Sequence, residues 1–287
     1  MIPVLQATVP TASLRHICAA LEMSRSWYYA CRHPTDGVPS DDAVIARIEQ
    51  IILRFPGYGY RRVTETLHRD GLVINHKRVS RLMQEQALTV QVRRYLQTTH
   101  RAPGWTACPN LVADAVITGP NQVWVADLTW VRLRRETGFL ACVLDVWSRR
   151  CVGWALGPQL TTELSLLALT RAIGNRAPTP GLIHHSDQGV QYLNHRYTTA
   201  LAAIGACMSV SAPGRPTQNA FAESFIGTLK REEVHRNDYL NLADAEQQIG
   251  RFIDQLYNQE RLHSSLGYRS PAEFESVTSN EAMIPSP

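Results

Sequence analysis

The run Val123-Trp124-Val125-Ala126-Asp127-Leu128-Thr129-Trp130-Val131 reads as one strand with a carboxylate at its centre. Asp127 has apolar neighbours on both sides. A charge in such a strand is costly unless it meets a basic partner or a metal ion. Around this strand the hydrophobic period fixes an order of elements. Strands are expected at Val123–Arg132, Phe139–Trp147 and Cys151–Leu156, the last two joined by a tight turn through Ser148-Arg149-Arg150. A helix follows over Thr161–Asn175, then a short strand at Leu182–His185. Next come a helix over Leu193–Ile204, a strand at Ala206–Val210, and helices over Asn219–His235 and Leu242–Asn258. Three antiparallel strands followed by alternating helices and strands predict an α/β fold: a mixed five-stranded sheet with flanking helices.

The region before Pro120 is different in kind. Residues 11–31 read as two short helices, with Ser24 as the cap of the second. Asp41–Phe55 carries Val44, Ile45, Ile48, Ile51, Ile52 and Phe55 at helical spacing, and Pro56-Gly57 ends it. A helix to Arg69, a turn at Asp70-Gly71 and a helix from about Asn75 to Gln86 follow. Lys77, Arg78 and Arg81 fall on one side of that last helix, and Val79, Leu82 and Met83 on the other. Residues 89–119 have little periodicity and contain Arg93 and Arg94, which suits a basic linker. The expected organisation is a helix-turn-helix-like segment (1–40), a second such domain (41–88), the linker (89–119), the α/β core (120–275) and a flexible tail (276–287).

Charge separates the same regions. Residues 1–119 hold 14 Lys/Arg against 9 Asp/Glu, while 120–287 hold 15 against 16. Within 54–101 the ratio is 10 to 3. A basic front half points to a polyanion such as DNA, with ordinary surface scatter as the alternative. The six cysteines form no C-x-x-C pair and suit reduced thiols in the cytoplasm. No apolar run approaches the ~18 residues of a membrane helix. No secretory signal opens the chain, and no G-x-x-x-x-G-K-[ST] loop indicates nucleotide hydrolysis.

Two further acids join Asp127. Asp187 follows the Leu182–His185 strand and opens an Asp-Gln-Gly turn. Glu223 lies in the Asn219–His235 helix, with residues 188 to 222 between the two. Separately, each has an ordinary reading: Asp127 paired with an Arg, Asp187 stabilising its turn. Together, three carboxylates from different elements suit a pair of Mg²⁺ ions placed for in-line attack on a phosphodiester, with Mn²⁺ as a substitute. Asn219, Glu223, Gly227 and Lys230 share one helical stripe, and Ala222, Phe225 and Leu229 face the other way. Gly227 either leaves room for a DNA backbone or permits close helix packing. Asp145 stands beside a local partner in Ser148-Arg149-Arg150. Of His184 and His185, the first suits a packed histidine, and one of the two is a candidate to touch metal or phosphate.

The words carrying these acids resemble a known family: "NQVWVADLTW" (121–130), "LDVWSRRCVGW" (144–154), "HHSDQGVQY" (184–192), "NAFAESFIGTLKRE" (219–232) and "YNQERLHSSLGYRSPAEF" (257–274). So do "GYGYRRV" and "HKRVSRLM" in the front half. All are similar to the second-frame DDE transposases of bacterial insertion sequences, relatives of retroviral integrases. The resemblance implies a ribonuclease-H-like core in which Asp127, Asp187 and Glu223 are catalytic and bind the metal. It also implies DNA contacts from Arg61, Arg62, Lys77, Arg78, Arg81, Arg93, Arg94 and Lys230. The expected activity is cleavage at transposon ends and transfer of the 3′-hydroxyl into target DNA. The alternatives are a metal-dependent nuclease on the same fold and a non-catalytic DNA-binding regulator. Terminal inverted repeats and target DNA are the implied partners. A homo-oligomer on DNA, nucleoid association and an upstream-frame product, fused or separate, are further expectations. Gln218 departs from the family, where an Asp commonly precedes Asn-Ala. Arg261 in the last word either binds phosphate or braces the core against a carboxylate.

Overall fold

The computed structural model describes residues 14–20, 23–24, 39–89, 108–113, 115–212 and 216–282. The chain divides into two compact units, Met1–Ile48 and Glu49–Pro287. The first contains α1 (Leu14–Ala20) and the start of α2 (Asp41–Arg54). The second helix expected after Ser24 lies outside the described residues. In the second unit, α3 (Tyr60–Arg69) and α4 (His76–Glu85) form a helical pair. They bury Val63 and Leu67 on one helix and Val79, Leu82 and Met83 on the other. Asn75 caps α4 by accepting the Lys77 N–H at 2.9 Å.

The sheet has the order β3-β2-β1-β4-β5. β1 (Val123–Arg132), β2 (Thr137–Asp145) and β3 (Cys151–Gly157) form an antiparallel meander. β4 (Ile183–Ser186) and β5 (Cys207–Val210) extend it parallel to β1. Strand parity divides the core in two. Val123, Val125, Val131, Leu140, Cys142 and Leu144 pack under α7 (Ala220–Leu229) and α8 (Leu242–Arg251), against Phe225, Leu229 and Ile249. Trp124, Ala126, Ala141, Val143 and Val152 pack under α5 (Thr162–Arg176) and α6 (His195–Ala203). α5 rides closest over Gly153, where a β-carbon would collide with the Ala168 carbonyl and Ala172.

Three expectations need correction. Residues 108–113 and 115–119 belong to the core rather than to the linker expected over 89–119: Val112, Ala115 and Ile117 pack on the core, and the Leu111 N–H donates to Ser209 Oγ at 2.9 Å. Their short apolar spacing is too sparse to show as a period. The tail expected from 276 begins as helix, because α9 spans Pro271–Ala282. Phe274 lies 4.8 Å from the Trp147 ring, and Glu275 accepts from Arg150 and Arg176 at 2.7 to 2.9 Å. The two long helices after Asn219 also change pitch. α7 continues as a π-helix over Lys230–Val234, and α8 as another over Phe252–Glu260. Apolar spacing does not distinguish a π turn from an α turn.

The π segment after α7 presents Glu232 to the interior, and Arg261 meets it there. Arg261 Nε and Nη2 donate to the two Glu232 oxygens at 2.8 and 2.7 Å, with the Arg side chain 2% exposed. Of the two readings of Arg261, the brace is the one this geometry realises. Gly57 sits against the pair, since a β-carbon there would overlap the Glu232 carboxylate. Next to it, the Tyr58 hydroxyl accepts the Leu262 N–H at 2.7 Å. Arg261→Lys keeps the charge and loses the planar fork, so a loss of roughly 3 kcal/mol in unfolding free energy is expected. Replacing both partners by apolar residues, Arg261→Met with Glu232→Leu, should recover most of it. Denaturant melts of the three variants check this. A Lys variant as stable as the wild type would show that the fork is dispensable.

Candidate active site

β1 and β4 run in parallel register with a constant offset: Val123 lies beside Ile183, Trp124 beside His184 and Val125 beside His185. Two residues beyond the last pair stand Asp127, still within β1, and Asp187, one residue past the end of β4. The same offset therefore sets the two carboxylates abreast at the end of the β4 pairing, where α/β sheets commonly hold ligands. Asp127 opposes Cys142 on β2, and Cys142 belongs to the core under α7. Parity thus turns Asp127 toward α7. Asn219, buried just before that helix, donates from Nδ2 to the Ala126 carbonyl at 3.1 Å and fastens the helix start beside Asp127. Glu223 follows about one turn later.

Asp127 feels the charge of both other acids. The Asp127 carboxyl is pushed up to about 7, first by burial, then by the Asp187 charge and, more weakly, by Glu223. The Leu128 N–H, donating to Oδ1 at 2.8 Å, and the Lys230 ammonium oppose the rise. Burial also raises Asp187, against the Gly189 N–H that donates to its Oδ1 at 3.0 Å. Lys230 is pulled down by burial and held up by Asp127, and its Nζ lies 5.0 Å from the Trp130 ring centroid. Between Glu223 and Lys230, a β-carbon on Gly227 would meet nothing within 4 Å, so close helix packing does not account for this glycine. Among the described residues, no three His, Cys, Asp or Glu side chains stand as a finished metal cage. The donor chemistry nevertheless fits a divalent cation, because crowded, partly buried carboxylates resist ionisation until a cation joins them.

The other candidates separate clearly. Asp145 is fully buried and caps its turn, accepting from Trp147 N at 2.9 Å, Ser148 N at 3.2 Å and Asn121 N at 2.6 Å. His184 Nε2 bonds the Tyr197 hydroxyl at 3.0 Å. The His185 ring nitrogens bond Ser209 and Ser211 at 2.8 and 2.9 Å, so both histidines are engaged inside the core. Gln218 Oε1 accepts the Ala212 N–H at 2.6 Å and ties off the connection to α7. Arg61, Lys77 and Arg81 are exposed, Arg78 is half-buried, and Arg81 pairs with Glu85 one turn on at 2.9 Å. Arg62 does not share that open surface: it is half-buried, 5.6 Å over the Tyr58 ring. Arg93 and Arg94 lie outside the described residues. Sequence reasoning missed Asn219 as a clamp and Trp130 as the platform under Lys230. An aromatic at an exposed strand position was the available signal for the second.

The raised Asp127 has a consequence for stability. Its ordinary value is 3.8. As pH rises from there to about 7, the unfolded chain gives up a proton that the fold retains, so the fold loses stability across that window. Asp127→Asn removes the cost. It should stabilise the metal-free protein at pH 8 by on the order of 2 kcal/mol, after discounting for partial solvent contact, and change little at pH 4. Melting curves at both pH values test this, and an equal gain at each would mean that Asp127 is not strained by its charge.

Comparison with known proteins agrees with this architecture. Residues 117–216 and 205–271 match two family models, each described as Integrase core domain, and residues 39–95 match one described as HTH-like domain. The chain is 36% identical over 251 residues to the transposase for insertion sequence element IS904 of Lactococcus lactis, covering 86% of this chain and 99% of that one. It is 32% identical over 273 residues to the transposase InsF for insertion sequence IS3A of Escherichia coli, covering 92% and 94%. Among solved structures it is similar to the HTLV-2 integrase catalytic core domain in complex with magnesium, with a TM-score of 0.43 at 15% identity, covering 55% of this chain and 97% of that one. With a helix-turn-helix-like domain ahead of an integrase core, and relatives matched over nearly their whole length, the chain belongs to the transposases of bacterial insertion sequences.

Proposed function

We propose that this transposase cuts DNA at the ends of its element and joins the resulting 3′-hydroxyl to target DNA, with Asp127, Asp187 and Glu223 holding two Mg²⁺ ions. The observation that carries this reading is geometric: the β1–β4 register brings the Asp127 and Asp187 segments together, and Asn219 fastens the start of the Glu223 helix to the Ala126 carbonyl; burial and the other two acids raise the Asp127 carboxyl accordingly. When bound, such cations lower the pKa of an attacking water or hydroxyl and neutralise charge on the phosphate. The chain supplies the rest. The β1–β4 register holds Asp127 and Asp187 side by side, and Asn219 holds the Glu223 helix against them. The Leu128 and Gly189 N–H groups orient the two aspartates by donating to one oxygen of each. Lys230 lies over Trp130, past the open space at Gly227, and in this reading meets a DNA phosphate entering the site.

The helical domain delivers the DNA. Arg61, Lys77, Arg78 and Arg81 are its candidate phosphate contacts, with Arg93 and Arg94 continuing the basic run in sequence. Both ends of an element must be joined together, so at least two copies act on one DNA.

Asp127→Asn, Asp187→Asn and Glu223→Gln are each expected to reduce cleavage and joining at least a thousandfold while end-DNA binding stays within a few-fold. The measurement is a strand-transfer assay on labelled element ends in Mg²⁺. A variant that still joins ends at the wild-type rate would remove its residue from the site, and cutting without joining would identify a nuclease instead. Independently, charge reversal at Lys77, Arg78 and Arg81 should weaken DNA binding more than tenfold at low salt and flatten its salt dependence by about two to three counterions. An unchanged salt slope would place the DNA elsewhere.

A further inference from the structure

α7 has a second functional face. Ala220, Phe221, Ser224, Phe225 and Thr228 line a cavity of about 330 Å³, and Glu223, Gly227 and Lys230 lie on a different side of the helix. Arg62 of α3, Arg149 of the β2–β3 turn and the His263–Ser265 segment form the opposite walls. The bordering residues hold three buried nitrogens without a hydrogen-bond partner among the described residues: Nε of Arg62, Nε of Arg149 and Nε2 of His263. Such orphans are uncommon in native proteins and each calls for an explanation. His263 is nine-tenths buried.

The cavity is also short of negative charge. Arg261 borders it, and Glu232 answers its charge. No ion pair answers Arg62 or Arg149 among the described residues. The one carboxylate in the wall, Asp145, spends its oxygens on the Asn121, Trp147 and Ser148 N–H groups. The cations feel one another. Burial and Arg261 lower Arg62, with Glu232 only partly opposing them, and burial with Arg261, Arg62 and Arg149 pushes His263 down to about 2.

The placement of Arg149 is itself strained. It has φ +63°, a left-handed conformation that a residue with a β-carbon adopts at a cost of about 1 kcal/mol or more. That conformation stacks its guanidinium 3.9 Å over the Phe221 ring. Strain kept at a cavity wall, with unpaired donors beside it, suits a ligand site better than a packing site.

We propose that this cavity is a binding site for one phosphate-type oxyanion, held between Arg62 and Arg149 with His263 and the Ser224, Ser264 and Ser265 hydroxyls as further donors. A tetrahedral oxyanion accepts from several directions at once, which matches donors arriving from three walls. The volume leaves room for an attached sugar. The anion comes either from free phosphate or from a DNA phosphate, and the chemistry of the site is the same for both. The inference does not depend on the role of the three carboxylates.

The test is calorimetric titration of the full chain with inorganic phosphate, at ionic strength held constant with chloride. One phosphate per chain is expected. Arg149→Gly should weaken it at least tenfold while keeping or raising the melting temperature, since glycine accepts φ +63° freely. Arg135→Ala, which removes an exposed arginine just before β2, at the opposite end of that strand from Asp145, should leave it unchanged. Should Arg149→Gly fold poorly, Arg149→Lys keeps the charge without the fork and should weaken binding several-fold. A second arm titrates a single-stranded oligonucleotide. If DNA supplies the phosphate, inorganic phosphate competes with the oligonucleotide and Arg149→Gly weakens it several-fold. If free phosphate is the ligand, oligonucleotide binding ignores both, and the site stands. The same phosphate response in wild type and both Arg149 variants, or none in wild type, overturns the proposal. Neither arm reads cleavage or joining, so failure of strand transfer would not be mistaken for failure here.

Discussion

Asp127 carries a carboxylate in the middle of β1, where burial and the charge of Asp187, just past β4, both disfavour its ionised form. The fixed β1–β4 offset places Asp127 beside Asp187. Strand parity turns Asp127 to the face that α7 covers, and Asn219 ties that helix to β1 at Ala126. The cost shows as an Asp127 carboxyl raised to about 7. The apolar residues of β1 and β2 around Asp127 offer little solvation to such a group beyond the Leu128 N–H. A divalent cation bound among such carboxylates would relieve that cost, which is what the proposed metal role supplies.

The same helix is constrained from behind. Its π-helical continuation turns Glu232 inward to the Arg261 fork, and Gly57 and Tyr58, just ahead of α3, close over that pair. Arg54 with Glu260 and Arg69 with Glu273 add further links between the helical domain and the C-terminal segment. α7 therefore joins two environments. One side presents acids in need of a cation. The other presents Arg62 and Arg149 in need of an anion. Phosphodiester chemistry on DNA involves both kinds of charge.

Much of this was legible in the sequence because burial leaves a periodic trace. β1 spans Val123–Arg132, as its apolar run predicts, and the Asn75 and Thr161 caps fall where the periodicity begins. The three acids could be selected because each interrupts an apolar pattern or follows one. Other features leave no such trace. A π turn has the composition of an α turn, so the changes of pitch at Lys230 and Phe252 were invisible. The resemblance made Arg62 of "GYGYRRV" a DNA contact, yet Gly57 and Tyr58 lie at the Arg261–Glu232 pair and Arg62 lines the basic cavity. Those roles depend on partners some 170 to 200 residues away. Arg149 in a left-handed conformation has no local signature either, since glycine or asparagine would be the usual residue there.

The most direct measurement of the central claim is the pH titration of the Asp127 side-chain carboxyl carbon by NMR, first without metal and then with Mg²⁺. Convergence of three carboxylates predicts a midpoint near 7 without metal, falling well below that when Mg²⁺ is added. A midpoint in the ordinary range near 4, indifferent to Mg²⁺, would contradict the account.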